Sequence, residues 1–187
     1  MIVIDKNGIK GDELNNLGYI KGRFGIGRIV LPITRFLRTI NAESYINDGE
    51  RLLDIGCGDG YFIKRLKIKE RYGLDKLLGD EVKDKLNFPD SFFDYVTMLA
   101  VIEHIDEPAV LFKEIHRVLK PNGKFVFTTP KKQAELLFRL YAKNIDEEHE
   151  SYFDHDKVKE LARDMFTIVD YKTFILGLNQ VYSLQKT

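Results

Sequence analysis

The 187-residue sequence has one cysteine, no excess of either charge and no long apolar run, and each absence removes a class of protein. With Cys57 alone, no disulfide can form within the chain, which suits a reducing, cytoplasmic setting. Lys plus Arg and Asp plus Glu both number 29, so the basic excess of a dedicated nucleic-acid binder is missing. No uninterrupted apolar stretch approaches the ~18 residues of a membrane span. Charges early in MIVIDKNGIKGDE argue against a signal peptide. What is present is an ordinary globular composition, 44% hydrophobic, enough for the core of one domain with a short extra arm. This balance points to a small or neutral partner, with neither nucleic acid nor membrane expected.

Residues 1–28 carry glycine at positions 8, 11, 18, 22, 25 and 27, a density that predicts a mobile arm or lid. From Ile29 to Ile46 apolar residues recur at helical spacing (Ile29, Ile33, Phe36, Leu37, Ile40). Pro32 falls in the first turn of that helix, where its missing N–H matters least. Asn47-Asp48-Gly49 then marks a turn, dividing an N-terminal arm and helix (1–48) from a main domain (49–187). In the main domain, strands at Arg51–Ile55, Arg71–Leu74, Phe93–Leu99 and Lys124–Thr128 alternate with helices at Tyr61–Leu66 and Pro108–Leu119. Helices follow at Lys131–Ala142 and Asp156–Arg163, the latter capped by Asp154 or Asp156. The tail from Met165 to Leu184 gives two strands around a turn near Gly177. The pattern predicts an α/β fold, doubly wound, with a mostly parallel sheet covered on both faces.

The chemistry concentrates in LLDIGCGDG, Leu52 to Gly60. Gly56, Gly58 and Gly60 follow the first strand of the main domain, at the carboxyl edge where open α/β sheets bind ligands. Their spacing is G-x-G-x-G, whereas the dinucleotide fingerprint is G-x-G-x-x-G around a pyrophosphate. Asp54, just before the loop, would repel a pyrophosphate and suits a ligand bearing an ammonium group. S-adenosylmethionine has an amino-acid end, a sulfonium and no phosphate, so this loop favours it over NAD. Asp75, at the end of the second strand and about 20 residues after the glycines, is placed to accept from ribose hydroxyls, which both ligands possess.

Together, LLDIGCGDG, YGLDK, LNFPDSFFDYVTMLAVIEHI and EIHRVLKPNGKFVFTTP resemble the class I S-adenosylmethionine-dependent methyltransferases, most closely the type 11 family. The resemblance spans residues 49–130 strongly and the rest loosely. It implies the Rossmann-like methyltransferase fold and S-adenosylmethionine as cofactor. It also implies that Asp54, Gly56, Cys57 and Gly58 line the methionine end of the cofactor. Asp75 would take the ribose hydroxyls, with Lys76 beside the adenine. Leu86 and Asn87 occupy the place of the family's adenine wall, with Asn where proline is usual. Leu99 and Ala100 would lie near the methionine moiety, and Glu103-His104 matches the family's Glu-His pair.

One departure stands out. The family places a helix and a strand between the second-strand acid and the strand opening at Phe93. The connection from Asp75 to Phe93 is short for a helix of ~11 residues and a strand of ~5. The helix is therefore expected to shrink to a turn and the edge strand to disappear, leaving about six strands. Asp80 and Asp84 are the candidates for an acid at the adenine.

Other residues carry two readings. Asp54 and Asp75 could be a cap and a turn residue, and Cys57 is a small filler more readily than a reactive thiol. His104 is either a base at the transfer centre or a structural group. His149, before an aromatic pair in EEHESYF, resembles a family histidine that faces the substrate. His116 reads as structural. Glu147, Glu148, His149 and His155 lack a metal-ligand spacing, so no metal is expected. Lys21, Arg23 and Arg28 could meet an anionic acceptor or form a solvated arm. The leading expectation is methyl transfer to a small-molecule acceptor. The alternative is a non-catalytic S-adenosylmethionine-binding or scaffolding protein. Amine methylases of nucleic acids carry an Asn/Asp-Pro-Pro-aromatic motif where this chain has Ala100-Val101-Ile102-Glu103.

Overall fold

The computed structural model describes residues 1–5, 8–10, 27–80, 85–134 and 152–187. Among these residues eight strands form one sheet: β1 (Ile2–Asp5), β2 (Gly8–Lys10), β3 (Arg51–Ile55), β4 (Glu70–Leu74), β5 (Phe93–Leu99), β6 (Leu119–Pro130), β7 (Phe166–Phe174) and β8 (Asn179–Lys186). Their order is β2-β1-β4-β3-β5-β6-β8-β7. The central four, β4-β3-β5-β6, are parallel, and the pairs outside them are antiparallel. The helices are α1 (Gly27–Glu43), α2 (Tyr61–Arg65), α3 (Pro108–Val118) and α4 (His155–Ala162). Asp154 caps α4, its Oδ1 accepting from Lys157 N–H at 2.8 Å.

Alternation along the central strands sorts side chains onto two buried faces. Leu53, Val96, Phe125 and Tyr182 meet Leu111, Phe112 and Ile115 of α3 and Val158 of α4. Leu52, Tyr95, Val126 and Val181 meet Ala42 of α1 with Phe62 and Ile63 of α2. The sheet is thus wound on both faces, as the strand–helix alternation requires.

Two expectations are corrected. Among the described residues the sheet has eight strands instead of about six. The two extra strands come from the glycine-rich N-terminus, whose first residues IVID alternate buried and half-buried, as a half-covered strand does. β1 pairs with β4, with Ile2 opposite Gly73 and Ile4 opposite Arg71. It thereby covers the edge left open by the missing family strand. Residues 11–26, the rest of the expected arm, lie outside the described residues. α1 also starts before Ile29, which moves Pro32 inside the helix. There its ring leaves the carbonyl of residue 28 without an intrahelical donor.

The apolar stripe of α1 points outward: Ile33 is 52%, Phe36 44% and Ile40 36% exposed. The helix packs on β5, β6 and β8, and its buried positions are Thr34, Thr39 and Ala42. Helical periodicity locates such a helix without saying which face the sheet takes.

The shortened connection is confirmed. Among the described residues between β4 and β5 there is one 3₁₀ turn, Lys76–Leu78, and no strand. α3 clamps its return leg: Arg117 donates to the carbonyls of Leu86 and Phe88 at 2.8 Å each, and Glu114 accepts from Leu86 N–H at 2.9 Å. Phe88, Phe92 and Phe93 pack edge-on around Tyr72, with centroids 5.5 to 5.9 Å away. Of the expected helix from Lys131 to Ala142, residues 132–134 are helical and those from 135 on lie outside the described residues.

Candidate functional site

The carboxyl ends of β3, β4 and β5 converge on the glycine loop. Gly56 N–H and Cys57 N–H both donate to the Leu74 carbonyl, at 2.7 and 3.1 Å, pinning the loop to β4. Gly56 has a φ of 78°, a left-handed value that strains any residue with a side chain. A Cβ there would also overlap Cγ2 of Val101 in the segment after β5. Gly58 differs: a Cβ built on it meets nothing within 4 Å, so the loop presents bare backbone to open space. Gly60 closes the loop, donating to the Cys57 carbonyl at 2.9 Å and opening α2.

Two buried carboxylates flank this backbone. Asp54, 2% exposed, accepts from Thr97 Oγ1 at 2.7 Å. Burial pushes its carboxyl up to about 7; nearby Asp75 adds repulsion and the Thr97 hydrogen bond opposes the shift. Asp75, 7% exposed, accepts from Gly58 N–H through Oδ2 at 2.7 Å. That bond ties the second-strand acid directly to the loop. Lys76, next in the chain, is exposed.

Cys57 is buried, and Gly73 of β4 makes room for it: a Cβ at 73 would lie 2.6 Å from Sγ. Burial raises the thiol well above its ordinary range, so little reactive thiolate forms and packing is its role. At the end of β5, Leu99 and Ala100 are half-buried. Ala100 is held at a φ of 58° while its N–H donates to the Thr128 carbonyl at 2.9 Å. A non-glycine residue in this region is uncommon, and here it turns the chain sharply at the sheet edge.

The Glu-His pair splits. Glu103 is 2% exposed and accepts from Thr129 Oγ1 at 3.1 Å; burial raises its carboxyl, against the pull of Arg38 and His104. His104 is exposed. Leu86 is 2% exposed within the core, and Asn87 beside it is exposed. His149, Asp84 and the Lys21–Arg23 pair lie outside the described residues. His116 packs edge-on against Phe166, centroids 5.5 Å apart, as a structural residue does. Among the described residues no three His, Cys, Asp or Glu side chains gather as metal ligands. None of the described helices is long and apolar enough to cross a membrane.

Two residues at this site were not singled out in the sequence. Thr97 stands opposite Asp54 in the β3–β5 register, and a threonine inside the apolar run FDYVTML was the available signal. Arg35 of α1 pairs with Asp59 of the loop and lies 4.3 Å over the Tyr61 ring, tying α1 to the loop. Asp80, one of the two acids expected at the adenine, accepts from Asp75 N–H at 3.3 Å.

The donor set fits S-adenosylmethionine. One carboxylate is available for an ammonium group and one for vicinal hydroxyls, on either side of side-chain-free backbone. Comparisons with known proteins agree. The family model described as a methyltransferase domain matches residues 27–165. A sterol 24-C-methyltransferase of Aspergillus fumigatus is 33% identical over 104 residues, 43% of this chain and 28% of that one. A ubiquinone biosynthesis O-methyltransferase of Xanthomonas oryzae pv. oryzae is 26% identical over 103 residues, 43% of each. The chain thus spans less than half the length of these curated relatives. In fold it is similar to a solved S-adenosylmethionine-dependent methyltransferase of Thermotoga maritima, with a TM-score of 0.67 and 19% identity over 86% of this chain and 94% of that one. The chain belongs to the methyltransferase-domain family.

Proposed function

We propose that this chain is an S-adenosylmethionine-dependent methyltransferase acting on a small-molecule acceptor, and that Asp54 and Asp75 hold the two ends of the cofactor across the glycine loop. The observation that carries this reading is the pair of buried carboxylates beside the glycine loop, Asp75 accepting from Gly58 N–H and Asp54 from Thr97, with the Gly58 Cβ position open to free space. Asp54 takes the ammonium group of the methionine end, beside the backbone of Gly56, Cys57, Gly58 and Gly60. Asp75 takes the ribose hydroxyls, Lys76 and Asn87 border the adenine with Leu86 packed behind, and Leu99 and Ala100 line the methionine side. The names of the sterol and ubiquinone relatives support a small acceptor.

When bound, S-adenosylmethionine supplies a methyl group already activated by its sulfonium. The protein's own task is therefore to orient the partners and exclude water. Asp54 performs the first part by fixing the amino-acid end, and ion pairing favours its charged form against the burial that favours its proton. Where the acceptor is a hydroxyl or an acidic carbon, a base is needed. His104 takes that proton among the described residues, with His149 as the second candidate. α1, whose Arg35 pairs with Asp59 of the glycine loop, borders the acceptor side. The single cysteine suits a reducing, cytoplasmic setting.

Incubating the enzyme with methyl-labelled S-adenosylmethionine and a fractionated metabolite extract tests the reading. Label is expected in a low-mass product. Label only in protein or nucleic acid would contradict the acceptor class, and cofactor binding without any transfer would favour a binding or scaffolding role.

A further inference from the structure

The turn after β4 is folded back on itself. Leu78 N–H and Asp80 N–H both donate to the Asp75 carbonyl, at 2.9 and 3.2 Å, and Gly79 N–H donates to the Lys76 carbonyl at 3.1 Å. Gly79 has a φ of 77°, the left-handed value that reverses a chain after one helical turn. The reversal brings the Asp80 side chain to the start of the turn, where Oδ2 accepts from Asp75 N–H at 3.3 Å. The same oxygen lies 2.8 Å from the Met1 nitrogen, beside β1. Asp75 in turn reaches Gly58 N–H at 2.7 Å. A line of polar contacts therefore runs from Met1, the residue before β1, through two carboxylates to the glycine loop.

We propose that Asp80 is a positioning residue for ribose recognition: it fixes the backbone of Asp75 so that the Asp75 carboxylate meets the ribose hydroxyls, and β1 fixes Asp80. The proposal rests on the assignment of Asp75 to the ribose. Its physical basis is that two N–H-bearing groups converge on one Asp80 oxygen, on the inner side of the turn. That contact directs Oδ2 of Asp80 to backbone, so this acid works through Asp75 instead of reading the adenine itself. The N-terminal strand thus does more than close an open edge. It anchors the turn that the missing family elements would otherwise support.

Calorimetric titration of the full chain with S-adenosylhomocysteine and with its 2′,3′-dideoxy analogue separates positioning from general support. Asp80→Ala is expected to weaken S-adenosylhomocysteine about tenfold and the dideoxy analogue less than about twofold, the loss of one charge-assisted hydrogen bond acting through the hydroxyls. Asp80→Asn, whose amide oxygen can still accept from Asp75 N–H, restores most of the affinity. In an Asp75→Ala background Asp80→Ala adds nothing further. Gly79→Ala, which strains the turn but keeps the carboxylate, shows a smaller loss with the same dependence on the ribose hydroxyls, and it serves where Asp80→Ala does not fold. Equal losses for both ligands, additive losses in the double variant, or unchanged affinity would overturn the proposal. A wild-type chain that binds neither ligand would instead overturn the cofactor assignment on which it rests.

Discussion

The two halves of the cofactor site are built differently. On the methionine side, Asp54, the glycine loop and Ala100 grow from the ends of adjacent parallel strands, and main-chain bonds to β4 and β6 lock them. On the adenine side, one 3₁₀ turn and a short return leg replace a helix and a strand, and groups remote in sequence hold them. Arg117 and Glu114 of α3 grip the return leg, while β1 and Asp80 brace the turn. Where the sheet supplies the geometry, the site tolerates little change. Where clamps supply it, the residues mainly maintain packing.

Four substitutions sharpen that contrast. The largest effect is expected from Gly56→Ala, which adds left-handed strain to an overlap with Val101. It should lower stability by about 2–4 kcal/mol and abolish measurable S-adenosylhomocysteine binding, read by thermal melting and calorimetry. Next, His104→Gln should leave cofactor affinity within about twofold and lower kcat about a hundredfold on the acceptor found by labelling. An unchanged kcat would assign the proton to His149 or to none.

Asp54→Asn keeps the shape and removes the charge, and should weaken S-adenosylhomocysteine about thirtyfold at pH 8. Its stability effect has a definite sign. The folded carboxyl is raised from 3.8 to about 7. The proton therefore stabilises the fold fully below pH 3.8, and this contribution is lost as pH rises through about 7. The Asn variant should accordingly match or exceed wild type in denaturant midpoint at pH 8. Smallest in binding is Leu86→Ala on the adenine side, which should destabilise by about 2–4 kcal/mol through a core cavity yet shift affinity less than about threefold. A large affinity loss at unchanged stability would show that Leu86 contacts the adenine directly.

The same contrast explains what could be read from the sequence. Local patterns located β3 to β8, the glycine loop and both carboxylates, because strand alternation and turn chemistry act over a few residues. The shortening after Asp75 was also legible, since it follows from a residue count. What replaced the lost elements was not. Ile2 and Ile4 gave a strand signal too short to rise above a glycine-rich context, and their pairing with β4 depends on residues about seventy positions away. The outward stripe of α1 was hidden for a related reason: periodicity defines a helix face, while contacts with the sheet choose which face is buried. Thr97 and Asp80 matter only through partners that the fold brings to them.

The central claim is that a buried, partly protonated Asp54 receives the cationic end of the cofactor. Titration of S-adenosylhomocysteine from pH 6 to pH 8 on wild type and Asp54→Asn tests it most directly. Because a carboxyl near 7 ionises across this window, wild-type affinity should rise about tenfold and level off, while the Asn variant stays weak and flat. A wild-type profile that is flat, or one that the Asn variant follows in parallel, would contradict the account.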